Sequence, residues 1–301
     1  MDTKQIEYIL KIAEENNITK AAEKLFLTQP ALNQQLLRLE KELGTQLFHR
    51  SRTNWRPTQA GEVYLENARK MLLIKQETYR TIGDMVSDKK GTLSVGLTPG
   101  RGIAMFSAVY PKFHQNFPGI HIIPVERSVI NQQEMILRGE LDIGFQTLCP
   151  SQRTLDEYVE LGKEEILLAL PTKHPLSRQL ENSGEIYPEL DIKALEEDPF
   201  VLMYQESTIR YLVDRIFLEA DFTPKVLFET SSTSAIITMI QAGLCCGLIP
   251  MSYLRTKPEG IACFSLPSHP TWDVVASYRK NSYLTRAARY FIRLAAEYWN
   301  Y

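Results

Sequence analysis

Asn33 and Gln34 are neighbouring amides on the polar side of a segment whose leucines, Leu32, Leu36, Leu39 and Leu43, recur at helical spacing. A side-chain amide can pair bidentately with an adenine edge in the major groove of a duplex, so these two residues are candidate base readers. Thr28, Gln29 and Pro30 open the same segment, where a helix N-terminus suits a phosphate and a missing proline N–H costs nothing. Arg38 shares the outer face. Arg50, Arg52 and Arg56 follow in a short polar stretch suited to a phosphate backbone, a contact that positions a reader without specifying sequence. A second group of candidates lies further along. Thr98-Pro99-Gly100-Arg101-Gly102, Ser128 and the run TSSTS (residues 230–234) each follow an apolar stretch and open a helical one. Hydroxyls and loop N–H groups placed there can hold an anion, and Arg101 could add a bidentate pair. The same residues are also ordinary helix caps, and polar outer faces are ordinarily just solvated.

The elements that must position these groups are legible in the pattern. Thr19 can cap a helix carrying Ala21, Ala22 and Leu25, and Thr28 the next, with only Phe26 and Leu27 between them; Gly44 suits the left-handed cap that ends the second. From Thr58 to about Asp88 no proline interrupts, and Leu65, Ala68, Leu72, Lys75, Tyr79, Ile82 and Val86 follow heptad steps. That seam would bury itself against a twin, unless the helix packs on its own domain. After Gly91 short apolar strands alternate with helical stretches: Thr92–Leu97, Ile120–Glu126 and Leu141–Phe145, then Ile166–Leu170, Phe200–Met203, Lys225–Phe228, Gly247–Ile249 and a strand near Cys263. Val274–Tyr278 and a helix from about Leu284 to Trp299 return to the first series. This is βαβ architecture in two lobes joined by two crossings, and ligands of such folds collect beyond the carboxyl ends of the strands.

The wording of residues 21–61 is specific. Ala21, Ala22, Leu25, Thr28 to Leu32, Leu39, Glu40, Leu43, Gly44, Leu47, Phe48, Arg50, Thr58, Ala60 and Gly61 match, without a gap, the N-terminal pattern of LysR-type transcriptional regulators, which this chain resembles over essentially its whole length. The resemblance implies an α/β protein with an N-terminal winged helix-turn-helix (1–58), a dimerisation linker helix (59–90) and a C-terminal two-lobed, periplasmic-binding-protein-like effector domain (91–301; lobe I about 91–161 plus 268–301, lobe II about 162–267). It implies double-stranded DNA and a small-molecule co-inducer as partners, a homodimer pairing again into a homotetramer, and contact with RNA polymerase if the protein activates. By position, Thr98, Ser128, Gln146, Met203 and Thr230 resemble the family's effector contacts, with Pro99, Gly100, Arg101, Gln205 and Ser231 beside them. Departures bear on specificity: Asn33 stands where serine is usual, Gln34 and Leu37 where basic residues are common, and Pro57 where an apolar residue precedes the threonine.

Composition narrows the alternatives. The 34 basic and 36 acidic residues nearly balance, but residues 1–90 hold 15 Lys or Arg against 12 Asp or Glu, leaving 19 against 24 for the rest. The basic excess accompanies the reader. No apolar run approaches a membrane span and the first residues lack a signal peptide's core, so a cytoplasmic protein is expected rather than an exported solute binder. No Gly-rich phosphate loop, zinc signature or nucleophile elbow occurs, which argues against an enzyme, and Cys149, Cys245, Cys246 and Cys263 lack metal-ligand spacing, so neither metal nor cofactor is expected. Adjacent Cys245 and Cys246, in QAGLCCGLIP, raise a redox pair as an alternative to small core residues.

Overall fold

Asp2 caps helix α1 (Thr3–Glu15) by accepting from the Lys4 N–H, and Asn17 caps α2 (Ile18–Lys24) by accepting from the N–H groups of Thr19 and Lys20. The N-cap of α2 is therefore Asn17 and not Thr19, because the helix starts one residue before that threonine. The computed structural model describes residues 2–51, 54–86, 90–179, 184–256 and 258–299. The chain divides into two compact units, Met1–Ser87 and Asp88–Tyr301.

In the first unit the chain turns out of α2 at Phe26, which takes a left-handed φ of 56° while Leu27 N–H donates back to Ala22 O at 2.9 Å. Thr28 then caps α3 (Gln29–Leu43), accepting from Ala31 N, and left-handed Gly44 closes it. Ala21 and Ala22 are fully buried and carry no bulk, so α2 can lie close on Leu32, Leu36 and Leu39 of α3 and on Ile6, Ile9 and Ile12 of α1. Each buried leucine or isoleucine contributes about 1.5–3 kcal/mol relative to exposure. Leu43, expected in that stripe, is instead 46% exposed in the single chain. Strands β1 (Phe48–His49) and β2 (Arg56–Pro57) pair antiparallel as the wing.

Thr58 ties the wing to helix α4 (Gln59–Met85): its Oγ1 accepts from Gly61 N at 3.0 Å and donates to Gln46 O at 2.7 Å. A Cβ on Gly61 would lie 2.0 Å from Leu47 O, so only glycine permits this approach. The expected heptad seam divides. Leu65 and Ala68 are buried in their own unit, Leu72 packs against the same core, and Lys75 faces Glu7 at 3.7 Å. Beyond them Tyr79 (71% exposed), Ile82 and Val86 stand in solvent.

In the second unit β3 (Gly91–Leu97) lies between β4 (Ile120–Glu126) and β5 (Ile143–Leu148), all parallel, with α5 (Arg101–Asn116) and α6 (Val129–Arg138) as crossovers. The 15-residue β6 (Glu157–Pro171) spans both lobes. Residues 157–165 pair antiparallel with β11 (Thr271–Tyr278), which also pairs with β5, while residues 166–171 pair with β9 (Gly247–Pro250) and β10 (Ile261–Phe264). Ile166 to Leu170 are fully buried because lobe II covers both faces of this strand, hence the unbroken apolar run. One face packs on Phe200, Leu212 and Phe217, the other on Ile236, Ile240 and Ile249. Those residues come from β9, from β7 (Pro199–Met203), which pairs parallel with β8 (Lys225–Thr230), from α7 (Thr208–Glu219) and from α8 (Thr233–Gln241). Lobe I encloses Val95, Met105, Phe113, Phe145 and Phe291, the last from α9 (Arg286–Trp299), which returns from lobe II to pack on α5. Among the described residues no helix is long and apolar enough to cross a membrane.

Candidate functional site

Two surfaces collect the candidate residues. On the first unit, Thr28, Gln29, Pro30, Gln34 and Arg38 are exposed along one side of α3, with Asn33 half-buried among them, because Leu32, Leu36 and Leu39 turn the other side inward. Arg56 is exposed on β2, and Arg52 lies outside the described residues. Arg50 has a different partner from the one expected. It forms an ion pair with the carboxylate of Glu40, which is buried on α3 and also accepts from Leu47 N at 2.8 Å, and its guanidinium lies 5.8 Å from the Trp55 ring. Arg50 thus neutralises a buried carboxylate and holds the wing to α3, where a free cation was expected.

In the second unit a cavity of about 350 Å³ opens between the lobes. Thr98, Pro99, Gly100, Arg101 and Ser128 line it from lobe I, and Met203 and Ser231 from lobe II, as the sequence suggests. Ser207, Thr208, Ser232, Thr233 and Ser234 add hydroxyls, with Tyr204, Glu206, Tyr253 and Trp272. The N-termini of four helices meet here: α5 at Gly100, α6 at Ser128, α7 at Ser207 and α8 at Ser232. Ser128 and Ser232 satisfy N–H groups of their own helices, whereas α5 and α7 have no side-chain cap. At Gly100 φ is +72° and a Cβ would lie 3.3 Å from Tyr253 Oη, so glycine suits this turn, in which the N–H groups of Arg101 and Gly102 donate back to Pro99 O at 2.9 Å and Thr98 O at 3.0 Å.

Three expected contacts are elsewhere. Gln146 is 2% exposed and turned to the opposite face of β5, since successive strand residues alternate; its neighbour Thr147 lines the cavity in its place. Thr230 accepts from Ser232 N at 3.2 Å and shapes the turn rather than the wall, and Gln205 is exposed away from the lining. Arg101 does point inward, with only 9% of its side chain exposed, but it is already paired. Its Nη2 lies 2.6 Å from Glu164 Oε2, its Nε and Nη1 have no hydrogen-bond partner among the described residues, and the guanidinium carbon sits 5.0 Å from both the Trp272 and Trp299 rings. Burial pulls the Arg101 pKa down, and Glu164 and Tyr253 oppose that pull.

Two positioning residues escaped sequence reading. Glu164 accepts from Trp272 Nε1 at 2.8 Å and from Ser252 N at 2.7 Å besides facing Arg101, so it joins β6, β11, α5 and the 3-10 segment Met251–Thr256. Arg210 donates to Met203 O (2.8 Å), Asp214 Oδ1 (2.6 Å) and Glu229 Oε1 (2.6 Å), fixing β7 against α7 and β8. Neither has a sequence signature, because each joins elements through a distant partner, Glu229 at 19 positions from Arg210 and Trp272 at 108 from Glu164. The four cysteines are free and buried, with burial pushing Cys245 to about 11 and Cys246 and Cys263 to about 12. Burial of this kind disfavours the thiolate, the form that reacts with oxidants, and suits small core residues.

Fold and sites together define a helix-turn-helix protein carrying a two-lobed binding domain. Residues 3–62 match the model of the bacterial regulatory helix-turn-helix protein, lysR family, and residues 87–300 that of the LysR substrate binding domain. The chain belongs to the LysR family of transcriptional regulators, whose members are DNA-binding regulators and not enzymes. It is 28% identical to the uncharacterised HTH-type transcriptional regulator YcgK of Bacillus subtilis, over 99% of this chain and 94% of that protein. It is 30% identical to a probable RuBisCO transcriptional regulator of Trieres chinensis, over 85% of this chain and 82% of that one. Among solved structures, a full-length OxyR variant from Pseudomonas aeruginosa superposes with a TM-score of 0.70 at 23% identity, covering 99% of this chain and 97% of the other. CbnR complexed with its target DNA superposes at 0.62 and 21%, covering 99% and 100%. At these identities the structures establish the fold alone.

Proposed function

We propose that this regulator reads duplex DNA through α3 and answers to a small anion, a carboxylate first of all, held in the interlobe cavity. The observation that carries the effector reading is the convergence of four helix N-termini, two of them without side-chain caps, on one cavity walled by hydroxyls. Each N-terminus carries roughly half a positive charge, and among the described residues the one lining arginine or lysine is Arg101, whose charge Glu164 matches. Thr98, Pro99, Gly100, Ser128 and Thr147 would contact the effector from lobe I, with Met203, Ser231 and Ser232 opposite; Arg101 acts through Glu164 and the two indoles. Occupancy would favour one relative setting of the lobes over another, shifting an equilibrium that exists without ligand.

On DNA, Asn33 and Gln34 would read base edges, Thr28, Gln29 and Pro30 would seat the helix N-terminus on a phosphate, and Arg38, Arg52 and Arg56 would contact the backbone. The exposed distal seam of α4, Tyr79, Ile82 and Val86, supports a dimer, which would place two readers on two half-sites and would pair again into a tetramer. Such a regulator works in the cytoplasm, with RNA polymerase as its further partner where it activates. The test is a thermal-shift screen of the whole chain against small metabolites of both charge signs. Stabilisation by anions that is lost in Thr98→Ala supports the reading. Stabilisation only by compounds that carry no carboxylate or other anionic group overturns it.

A further inference from the structure

The cavity is not uniform in charge. Of the two charged side chains that line it, Arg101 is matched by Glu164, which leaves Glu206. Glu206 is exposed in the turn between β7 and α7, forms no ion pair or hydrogen bond among the described residues, and stands two positions after Tyr204, which is 48% exposed and lines the same cavity. It precedes Ser207 at the start of α7, so its negative charge offsets that helix's positive end. The anion-attracting part of the site is therefore the lobe I side, where Thr98, the positive N-terminal end of α5 at Gly100 and the Ser128 hydroxyl stand. The lobe II side at Tyr204 and Glu206 offers a carboxylate and an aromatic face, the two groups that hold an ammonium.

From this polarity we infer that the effector is a zwitterion of amino-acid type, with its carboxylate toward the start of α5 and its ammonium toward Glu206 and Tyr204. The inference rests on the small-anion reading above and narrows it. A ligand of this kind would touch both lobes through opposite charges, so that closing the cleft brings each charge to its complement. A plain carboxylate would bind at one end and leave Glu206 facing it across the cavity, a like-charge approach that disfavours closure.

The experiment uses the whole chain and two matched panels: the common α-amino acids and the corresponding carboxylic acids lacking the amino group, such as aspartate with succinate. Binding is followed by calorimetry at one pH and salt concentration. The expected result is a pair in which the amino acid binds at least about tenfold tighter than its deaminated partner. Glu206→Gln should then remove most of that ratio by weakening the amino acid and sparing the acid. If a carboxylic acid binds as tightly as its amino acid, or Glu206→Gln leaves the ratio unchanged, the zwitterion inference is overturned while the anion reading stands. If members of both panels fail to bind, both are overturned.

Discussion

Replacing Glu164 by glutamine removes one negative charge and almost no volume, and the consequences can be worked through from its neighbours. Arg101 has 9% of its side chain exposed, with Glu164 at 2.6 Å as its ion-pair partner, so solvent cannot take over the pairing. Removing one member of a buried pair costs about 3–5 kcal/mol, chiefly because the other charge stays buried alone. Glutamine can still accept from Trp272 Nε1 or Ser252 N, which keeps the loss from exceeding that range. In a unit of this size 1 kcal/mol moves the melting temperature by about 2–4 °C, so Glu164→Gln should lower the unfolding temperature of residues 88–301 by about 6–20 °C. Trp272 and Trp299 flank the guanidinium, so near-ultraviolet circular dichroism follows this site directly. Adding Arg101→Met should recover most of the loss, since no charge is left buried and a thioether packs well between two indoles. A loss below about 1 kcal/mol, or a double variant as unstable as the single, would refute the reasoning that Glu164 exists to neutralise Arg101.

Other expectations follow from single features. Asn33→Ala should cost about 1–3 kcal/mol on the best duplex and relax one symmetric base position, whereas Arg56→Ala should weaken all duplexes alike and reduce the salt slope by about one; uniform loss from both would remove Asn33 as a reader. Gly61→Ala drives a Cβ into Leu47 O, and should destabilise the first unit by about 3 kcal/mol or more in urea unfolding. His269 bonds to Glu165 and Glu189, which raise its pKa. Its protonated form is favoured by folding, so its contribution is fully present below the ordinary histidine pKa of about 6.5 and is lost as pH rises through the raised value. The difference in melting temperature between the parent and His269→Gln should therefore shrink from pH 5 to pH 9. Cys245 and Cys246, with thiols pushed to about 11 and about 12, should resist iodoacetamide at pH 8 until the protein is unfolded.

What was readable beforehand divides along a physical line. Local signals came through: the caps at Thr28 and Gly44, the limits of β4 and the helix-to-strand run through Cys245 are set by neighbours a few positions apart. The loops lining the cavity were also legible, because a hydroxyl or glycine between strand and helix marks a helix N-terminus. Long-range pairing was not. Whether Arg50 and Arg101 are free cations depends on Glu40 and Glu164, and nothing near either arginine in the chain indicates those partners. Gln146 was misplaced by one step of strand alternation, which moves a side chain to the other face of the sheet. A heptad pattern cannot tell a helix's own domain from a twin, and along the α4 seam the first half packs at home while the second remains open.

The central claim, that α3 reads sequence, is tested most directly by selecting bound sites from a random duplex library with the whole chain and with Asn33→Ala, at one salt concentration near physiological. The account predicts an interrupted palindrome with half-sites about one helical turn apart, and loss of preference at one symmetric position in the variant. Enrichment of the same sites by both proteins, or salt-sensitive binding by the parent with no enrichment, would contradict it.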